Sequence, residues 1–179
     1  MGNNRSIFLY PLSLIYGIVT GLRNFLFNSE VLKSHEFNIP VSCIGNLAVG
    51  GTGKTPHTEY LIDLFRKSFK VAVLSRGYKR KTRGFLFADP VSQVKDIGDE
   101  PLQIYKKFPD VVVAVDSNRV NGVKRILEER PDISVILLDD GYQHRRIKPG
   151  FSILLTDFDR LLIRDNMLPY GNLRENKSN

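Results

Sequence analysis

Residues 45–55 read Gly-Asn-Leu-Ala-Val-Gly-Gly-Thr-Gly-Lys-Thr. An apolar run, 39–45 (IPVSCIG), leads into them, and a segment suited to helix, 54–68, leads away. Ala48-x-x-x-x-Gly53-Lys54-Thr55 matches the Walker A pattern, with alanine where the first glycine usually stands. Gly50, Gly51 and Gly53 permit backbone conformations that other residues resist, so successive N–H groups can turn inward on phosphate oxygens. The start of the following helix adds its dipole and its unpaired N–H groups. Lys54 is placed to reach the β- and γ-phosphates, and the Thr55 hydroxyl to ligate Mg²⁺. A chance glycine-rich turn would lack this strand-loop-helix setting. Ala48, Val49, Gly50, Gly51, Thr52, Gly53, Lys54 and Thr55 are therefore the expected nucleotide-binding residues.

Further strands are expected at 71–75 (VAVLS), 111–116 (VVVAVD), 133–139 (ISVILLD) and 151–156 (FSILLT). Several are near-continuous apolar runs, as in strands buried on both faces. Helices are expected between them at 54–68, 100–108 and 118–130. The alternation predicts an α/β fold: a P-loop, mostly parallel sheet with helices on both faces, over 39–179. The strand 133–139 ends in Asp139-Asp140, which is what a Walker B strand needs. Ligands of open α/β sheets bind at the carboxyl ends of the strands, and one carboxylate there would hold Mg²⁺ directly or through water.

The chain of 179 residues is 42% hydrophobic and 25% charged, which excludes wholesale disorder and a fibrous repeat. Its 26 Lys and Arg against 19 Asp and Glu leave a net charge of +7, so anionic partners are favoured. Cys43, the single cysteine, has no partner for an internal disulfide. The basic stretch 79–83 (Lys-Arg-Lys-Thr-Arg) reads as a solvated charged loop. Basic residues are scattered and not interleaved with aromatics, so nucleic acid is not an expected partner.

The first 38 residues differ from the rest. Residues 7–22 (IFLYPLSLIYGIVTGL) carry no charge and lie between Arg5 and Arg23. That is short of the roughly 20 residues of a membrane-spanning helix, and no small-residue cleavage site follows. Ile15, Ile18, Val19, Leu22, Phe25 and Leu26 recur at helical spacing. Periodicity alone leaves two readings open: a helix lying in a membrane interface, or a helix covering the domain's own core.

The loop does not choose among nucleotide enzymes. A GTPase would show Asp-x-x-Gly after its Walker B strand and Asn-Lys-x-Asp later. Here the strand ends Asp139-Asp140-Gly141-Tyr142, and residues 176–179 read Asn-Lys-Ser-Asn.

Four motifs in order, IGNLAVGGTGKTPHTEYLI, LSRGYKRK, IGDEP and LLDDGYQHRR, resemble the tetraacyldisaccharide 4′-kinases, the lipid A kinases of Gram-negative bacteria. The likeness runs on through LPYGNLRE and covers nearly the whole chain. It implies ATP-dependent phosphorylation of the 4′-hydroxyl of lipid A disaccharide 1-phosphate, with ATP and Mg²⁺ as cofactors. It implies a peripheral enzyme on the cytoplasmic face of the inner membrane, with the N-terminal helix toward the membrane and the substrate. It makes Asp99 the catalytic base, although 98–101 (Gly-Asp-Glu-Pro) otherwise reads as a helix start with Asp99 as N-cap. Glu100 joins Thr55, Asp139 and Asp140 as a candidate for the metal. Arg76, Arg119, Gln143 and His144 become candidates for substrate contacts, Arg because its fork of donors suits phosphate. His57 reads as an early residue of the loop's helix and His35 as a surface residue.

The family's members run to well over 300 residues, with a second lobe that supplies a histidine partner for the catalytic aspartate. The chain is therefore expected to be an N-terminal portion of such a kinase. A nucleotide- or membrane-binding module without turnover, and another P-loop small-molecule kinase, are the alternatives.

Overall fold

The computed structural model describes residues 7–50, 53–157 and 165–175. Gly51 and Thr52 of the glycine loop lie outside the described residues. The chain divides into two compact units, one drawn from Met1–Ser34, Asn46–Thr52 and Leu154–Asn179, the other from His35–Gly45 and Gly53–Ile153.

The sheet has six strands in the order β3-β4-β2-β5-β1-β6. They are β1 (Val41–Asn46), β2 (Val71–Ser75), β3 (Leu86–Phe87), β4 (Val112–Val115), β5 (Val135–Asp139) and β6 (Phe151–Leu155). β1 with β5, β5 with β2, and β2 with β4 pair in parallel; β3 runs antiparallel to β4. Every residue of β1, β2 and β5 is buried, which is why β2 and β5 read as near-continuous apolar runs.

Alternate side chains of β2 and β5 feed two cores. Ala72, Leu74, Ile136 and Leu138 pack with Val123 and Ile126 of α5 (Arg119–Glu129). Val71, Val73, Val135 and Leu137 pack with Ile62 of α2 (Lys54–Phe65) and Ile104 of α4 (Asp99–Lys107). Each such Val, Leu or Ile side chain contributes roughly 1.5–3 kcal/mol on burial. α5 lies close to β2: a Cβ added at Gly122 would meet Leu74 Cδ2 at 2.7 Å.

Two short elements were not expected. β3 holds only two residues, too few to show a period. The one-turn helix α3 (Val94–Ile97) is set by Asp96, whose carboxylate accepts from the Gln93 N–H at 3.0 Å.

In the other unit, α1 (Tyr10–Asn28) follows a single 3₁₀ turn at Ile7–Leu9. Its buried residues are the polar Ser13, Thr20 and Asn24. Ile15, Ile18, Val19, Leu22 and Phe25 are all more than half exposed. Segment 165–175 occupies the polar seam. The Ser13 hydroxyl donates to the Met167 carbonyl at 2.7 Å, and the Tyr16 hydroxyl to the Arg174 carbonyl at 3.1 Å. Asn24 Nδ2 donates to Glu175 Oε2 at 3.1 Å, and Arg23 lies 3.7 Å from Glu175 Oε1. The helix turns its apolar side out, the reverse of a helix that covers a core. None of the described helices is long and apolar enough to cross a membrane.

Candidate active site

α2 begins at Lys54 because Gly53 takes a left-handed conformation (φ 73°) that breaks the strand direction. Its first turns carry Lys54, Thr55 and Thr58 toward the carboxyl end of β5. Asp139 is buried there and accepts from the Thr58 hydroxyl at 3.2 Å and the Ser75 hydroxyl at 3.4 Å. Burial, reinforced by the negative charges of Glu100 and Asp140, raises its pKa from 3.8 to about 6, against the Thr58 hydrogen bond and the Arg119 charge. Asp140 follows in a left-handed conformation (φ 50°), and its Oδ1 lies 3.6 Å from Lys54 Nζ. The Thr55 hydroxyl donates to Glu100 Oε1 at 3.4 Å. The structure thus gathers Lys54, Thr55, Glu100, Asp139 and Asp140, as expected from residues far apart in sequence.

Glycines make this gathering possible. A Cβ at Gly45 would meet Tyr142 Cβ at 2.5 Å, and one at Gly141 would meet Leu138 Cβ at 2.9 Å and Cys43 Sγ at 3.0 Å. The Gly141 N–H donates to the Ile44 carbonyl at 3.2 Å. The Asp-Asp-Gly-Tyr turn therefore leans directly on the end of β1. Cys43, buried in that contact, has its thiol pushed up to about 12, chiefly by burial.

Asp99 differs from its expected local role. Gly98, at φ 94°, is the N-cap, and Asp99 is the first helical residue. The left-handed region at that position suits glycine and not aspartate. The exposed Asp99 carboxylate accepts one backbone hydrogen bond, from the Glu100 N–H at 3.0 Å.

The expected substrate residues are placed unequally. Arg76 is exposed. Arg119 is buried, with 2% of its surface exposed. Its Nη1 donates to the Asp116 carbonyl and its Nη2 to the Asp139 carbonyl at 3.4 Å. Burial pushes its pKa down to about 10, opposed by the charges of Asp139 and Asp140. Arg119, His144 and Arg146 share a cavity of about 280 Å³ with Ser117 and Asn118 at the start of α5. Gln143 and His144 are half-buried in the turn after β5. His57 sits in the first turns of α2, with its Nδ1 2.8 Å from the Gly53 carbonyl. His35 is exposed and bridges to Ile147.

The first half of the glycine loop has support that sequence reasoning missed. Ala48 forms an antiparallel bridge with Leu173. The Val49 N–H donates to the Asn172 carbonyl at 2.8 Å, and the Arg174 N–H to the Leu47 carbonyl at 2.7 Å. The Val49 amide is thus engaged. Asn172 is itself fixed by Asp165, whose Oδ2 accepts from Asn172 Nδ2 at 3.1 Å. The signal was LPYGNLRE, the last segment of the resemblance.

The donors suit Mg²⁺ in kind. Thr55, Glu100, Asp139 and Asp140 offer oxygen alone, and Asp139, raised chiefly by burial and further by the charges of Glu100 and Asp140, would be relieved by a divalent cation. No group of three or more His, Cys, Asp or Glu side chains forms a metal cage among the described residues.

A family profile described as Tetraacyldisaccharide-1-P 4′-kinase matches residues 5–179. The tetraacyldisaccharide 4′-kinase of Flavobacterium johnsoniae is 56% identical over 170 residues, covering 95% of this chain and 50% of that protein. That of Bacteroides thetaiotaomicron is 58% identical over 168 residues, covering 93% and 44%. The crystal structure of LpxK from Aquifex aeolicus in complex with ATP superposes with a TM-score of 0.86 at 38% identity, covering 93% of this chain and 53% of that one. The chain spans about half the length of the curated relatives it matches.

Proposed function

From the premise that this chain belongs to the tetraacyldisaccharide-1-P 4′-kinase family, we propose that it serves the ATP-dependent phosphorylation of the 4′-hydroxyl of a lipid A disaccharide 1-phosphate. The observation that carries this is the convergence of Lys54, Thr55, Glu100, Asp139 and Asp140 at the carboxyl end of β5.

The loop amides from Gly50 to Thr55 and Lys54 would hold the ATP phosphates. Lys54 would leave Asp140 for the β- and γ-phosphates, whose higher charge and loop-fixed position compete well with one half-exposed carboxylate. Thr55, Asp139, Asp140 and Glu100 would hold Mg²⁺, which supplies charge neutralisation on the phosphates when bound. Asp99 would accept the proton of the 4′-hydroxyl as its oxygen bonds to the γ-phosphorus. The bond to the β,γ-bridging oxygen breaks, and ADP leaves with its new charge held by Lys54. Arg76, Gln143 and His144 would orient the glycolipid. Arg119, with both Nη groups on carbonyls, would fix the ends of β4 and β5 and present its Nε to the neighbouring cavity.

The outward apolar face of α1 would lie in the membrane interface, at the cytoplasmic face of the inner membrane, where the acyl chains of the acceptor reside. Contiguous exposed apolar residues on one helix are costly in water and favourable at the headgroup boundary.

The test is transfer of labelled γ-phosphate from ATP to the disaccharide 1-phosphate in mixed micelles. The proposal expects a phosphorylated glycolipid. ATP binding without transfer, by this chain and by a full-length form carrying it, would favour a nucleotide-binding module without turnover.

A further inference from the structure

α2 and α4 run side by side in the same direction, and a row of polar bonds joins them. Thr55 and Glu59 lie about one turn apart on α2, and Glu100, Gln103 and Lys107 follow one another at one-turn spacing on α4. The Thr55 hydroxyl donates to Glu100 Oε1 at the end of both helices that carries the candidate site. One turn further on, Gln103 Nε2 donates to Glu59 Oε1 at 2.8 Å and Lys107 Nζ to Glu59 Oε2 at 2.6 Å. Both carboxylate oxygens of Glu59 are thus held by α4. The Glu59 side chain is only 13% exposed, low for a glutamate. The hydrogen bond from Lys107, above all, holds its carboxyl below the ordinary value.

Beneath these bonds the contact is apolar. Ile62 of α2 and Ile104 of α4 belong to one cluster with Val71, Val73, Val135 and Leu137. Apolar burial is non-directional, so it sets the distance between two helices more firmly than the position of one along the other. Hydrogen bonds to an ionised carboxylate are short and directional, and two of them on one carboxylate fix that axial position. The consequence falls on the first turn of α4. Asp99 opens that helix and is exposed, and its carboxylate accepts from the Glu100 N–H of the same turn. The place of Asp99 relative to Lys54 and Thr55 is therefore set by the place of α4 against α2.

We propose that Glu59 is a positioning residue for the phosphoryl transfer: by holding Gln103 and Lys107 it fixes the axial register of α4 on α2, and with it the point from which Asp99 takes the proton. The proposal rests on the kinase reading above.

The experiment measures kcat, the KM for ATP and Tm in a full-length kinase carrying these residues. A misplacement of about 1 Å at a reacting group lowers a rate roughly 10²-fold. With the apolar contact still in place, Glu59→Ala is expected to lower kcat at least about tenfold, well below its Tm, with the KM for ATP unchanged. In an Asp99→Asn background the same substitution is expected to lower kcat less than about twofold, because the group it positions is gone. The exchange Glu59→Lys/Lys107→Glu rebuilds the row with donors and acceptors reversed, Gln103 offering its carbonyl oxygen, and recovers most of the loss. Lys107→Met removes one of the two bonds and gives a smaller loss with the same unchanged KM, which carries the test where Glu59→Ala is unstable. Arg66→Gln removes the ion pairs to Asp63 and Asp110 at the far end of the same helices and leaves kcat unchanged. Wild-type kcat in Glu59→Ala, an undiminished loss in the absence of Asp99, or an equal loss in Arg66→Gln overturns the proposal and leaves the kinase reading in place. A wild type that transfers no phosphate overturns the kinase reading itself, and the proposal with it.

Discussion

Lys54 Nζ and Asp140 Oδ1 stand 3.6 Å apart, one at the start of α2 and the other just past the end of β5. The pair joins the Walker A-like and Walker B-like sequence motifs, and under the proposed reaction the ATP phosphates would draw the lysine away from Asp140. Lys54→Ala is expected to lower the phosphoryl-transfer rate by about 10²–10³, the usual effect of removing one preorganised donor from a developing charge. Radiometric transfer assays on wild type and variant check this, and near-wild-type turnover would sink the assignment of Lys54.

Asp139 makes a prediction about pH. Its folded pKa, about 6, lies above the ordinary 3.8, so between those values the folded state binds more protons than the unfolded one. Stability from this group is therefore full below about pH 4 and lost as pH rises through 6. Asp139→Asn removes the strain and is expected to raise Tm at pH 7.5 by several degrees, while abolishing Mg²⁺-dependent tightening of ATP binding. In the wild type that tightening should fade as pH drops below about 6, when the carboxylate protonates. Calorimetric melts and ATP titrations with and without Mg²⁺ decide both; a lower Tm for the variant would contradict this account.

Opposite faces of α1 should respond differently. Ile18→Glu/Leu22→Glu alters only exposed positions, and vesicle co-sedimentation is expected to fall steeply with little change in Tm. Asn24→Leu leaves Glu175 buried without its hydrogen-bond donor and is expected to cost about 1–3 kcal/mol, read in denaturant melts. Equal effects on both readouts would remove the distinction between the faces.

Gly45→Ala tests the contact between the end of β1 and the Walker B turn. The added Cβ would overlap Tyr142 Cβ, so a loss of about 1–3 kcal/mol and weaker ATP binding are expected. A variant with wild-type melts would show that the turn moves freely away.

The sheet was legible because its determinants are local, and the cluster of Lys54, Thr55, Glu100, Asp139 and Asp140 because each member sits in its own short motif. β2 and β5 announce themselves as near-continuous apolar runs, and the glycine loop lies between a strand and a helix as its pattern suggests. The orientation of α1 was not legible, since spacing marks an apolar stripe without saying what faces it; the deciding partners, Met167, Arg174 and Glu175, lie some 150 residues away. The bridge from Ala48 to Leu173 is hidden for the same reason. Arg119 looks like a helix-start arginine in sequence, and its burial depends on carbonyls of two different strand ends. The local pattern Gly-Asp-Glu-Pro suggests Asp99 as the cap, and it does not reveal that Gly98 takes that place with φ 94°.

The central claim is that this site moves a phosphoryl group onto a sugar hydroxyl with Asp99 taking the proton. The most direct measurement is the steady-state rate of 4′-phosphorylation of the disaccharide 1-phosphate by a full-length kinase carrying these residues, wild type against Asp99→Asn, with the position of the new phosphate read by mass spectrometry. The account predicts phosphate on the 4′ oxygen and a kcat lower by roughly 10²–10⁴ in the variant, with the KM for ATP unchanged. Phosphate at another oxygen, or an Asp99→Asn enzyme turning over at the wild-type rate, would contradict it.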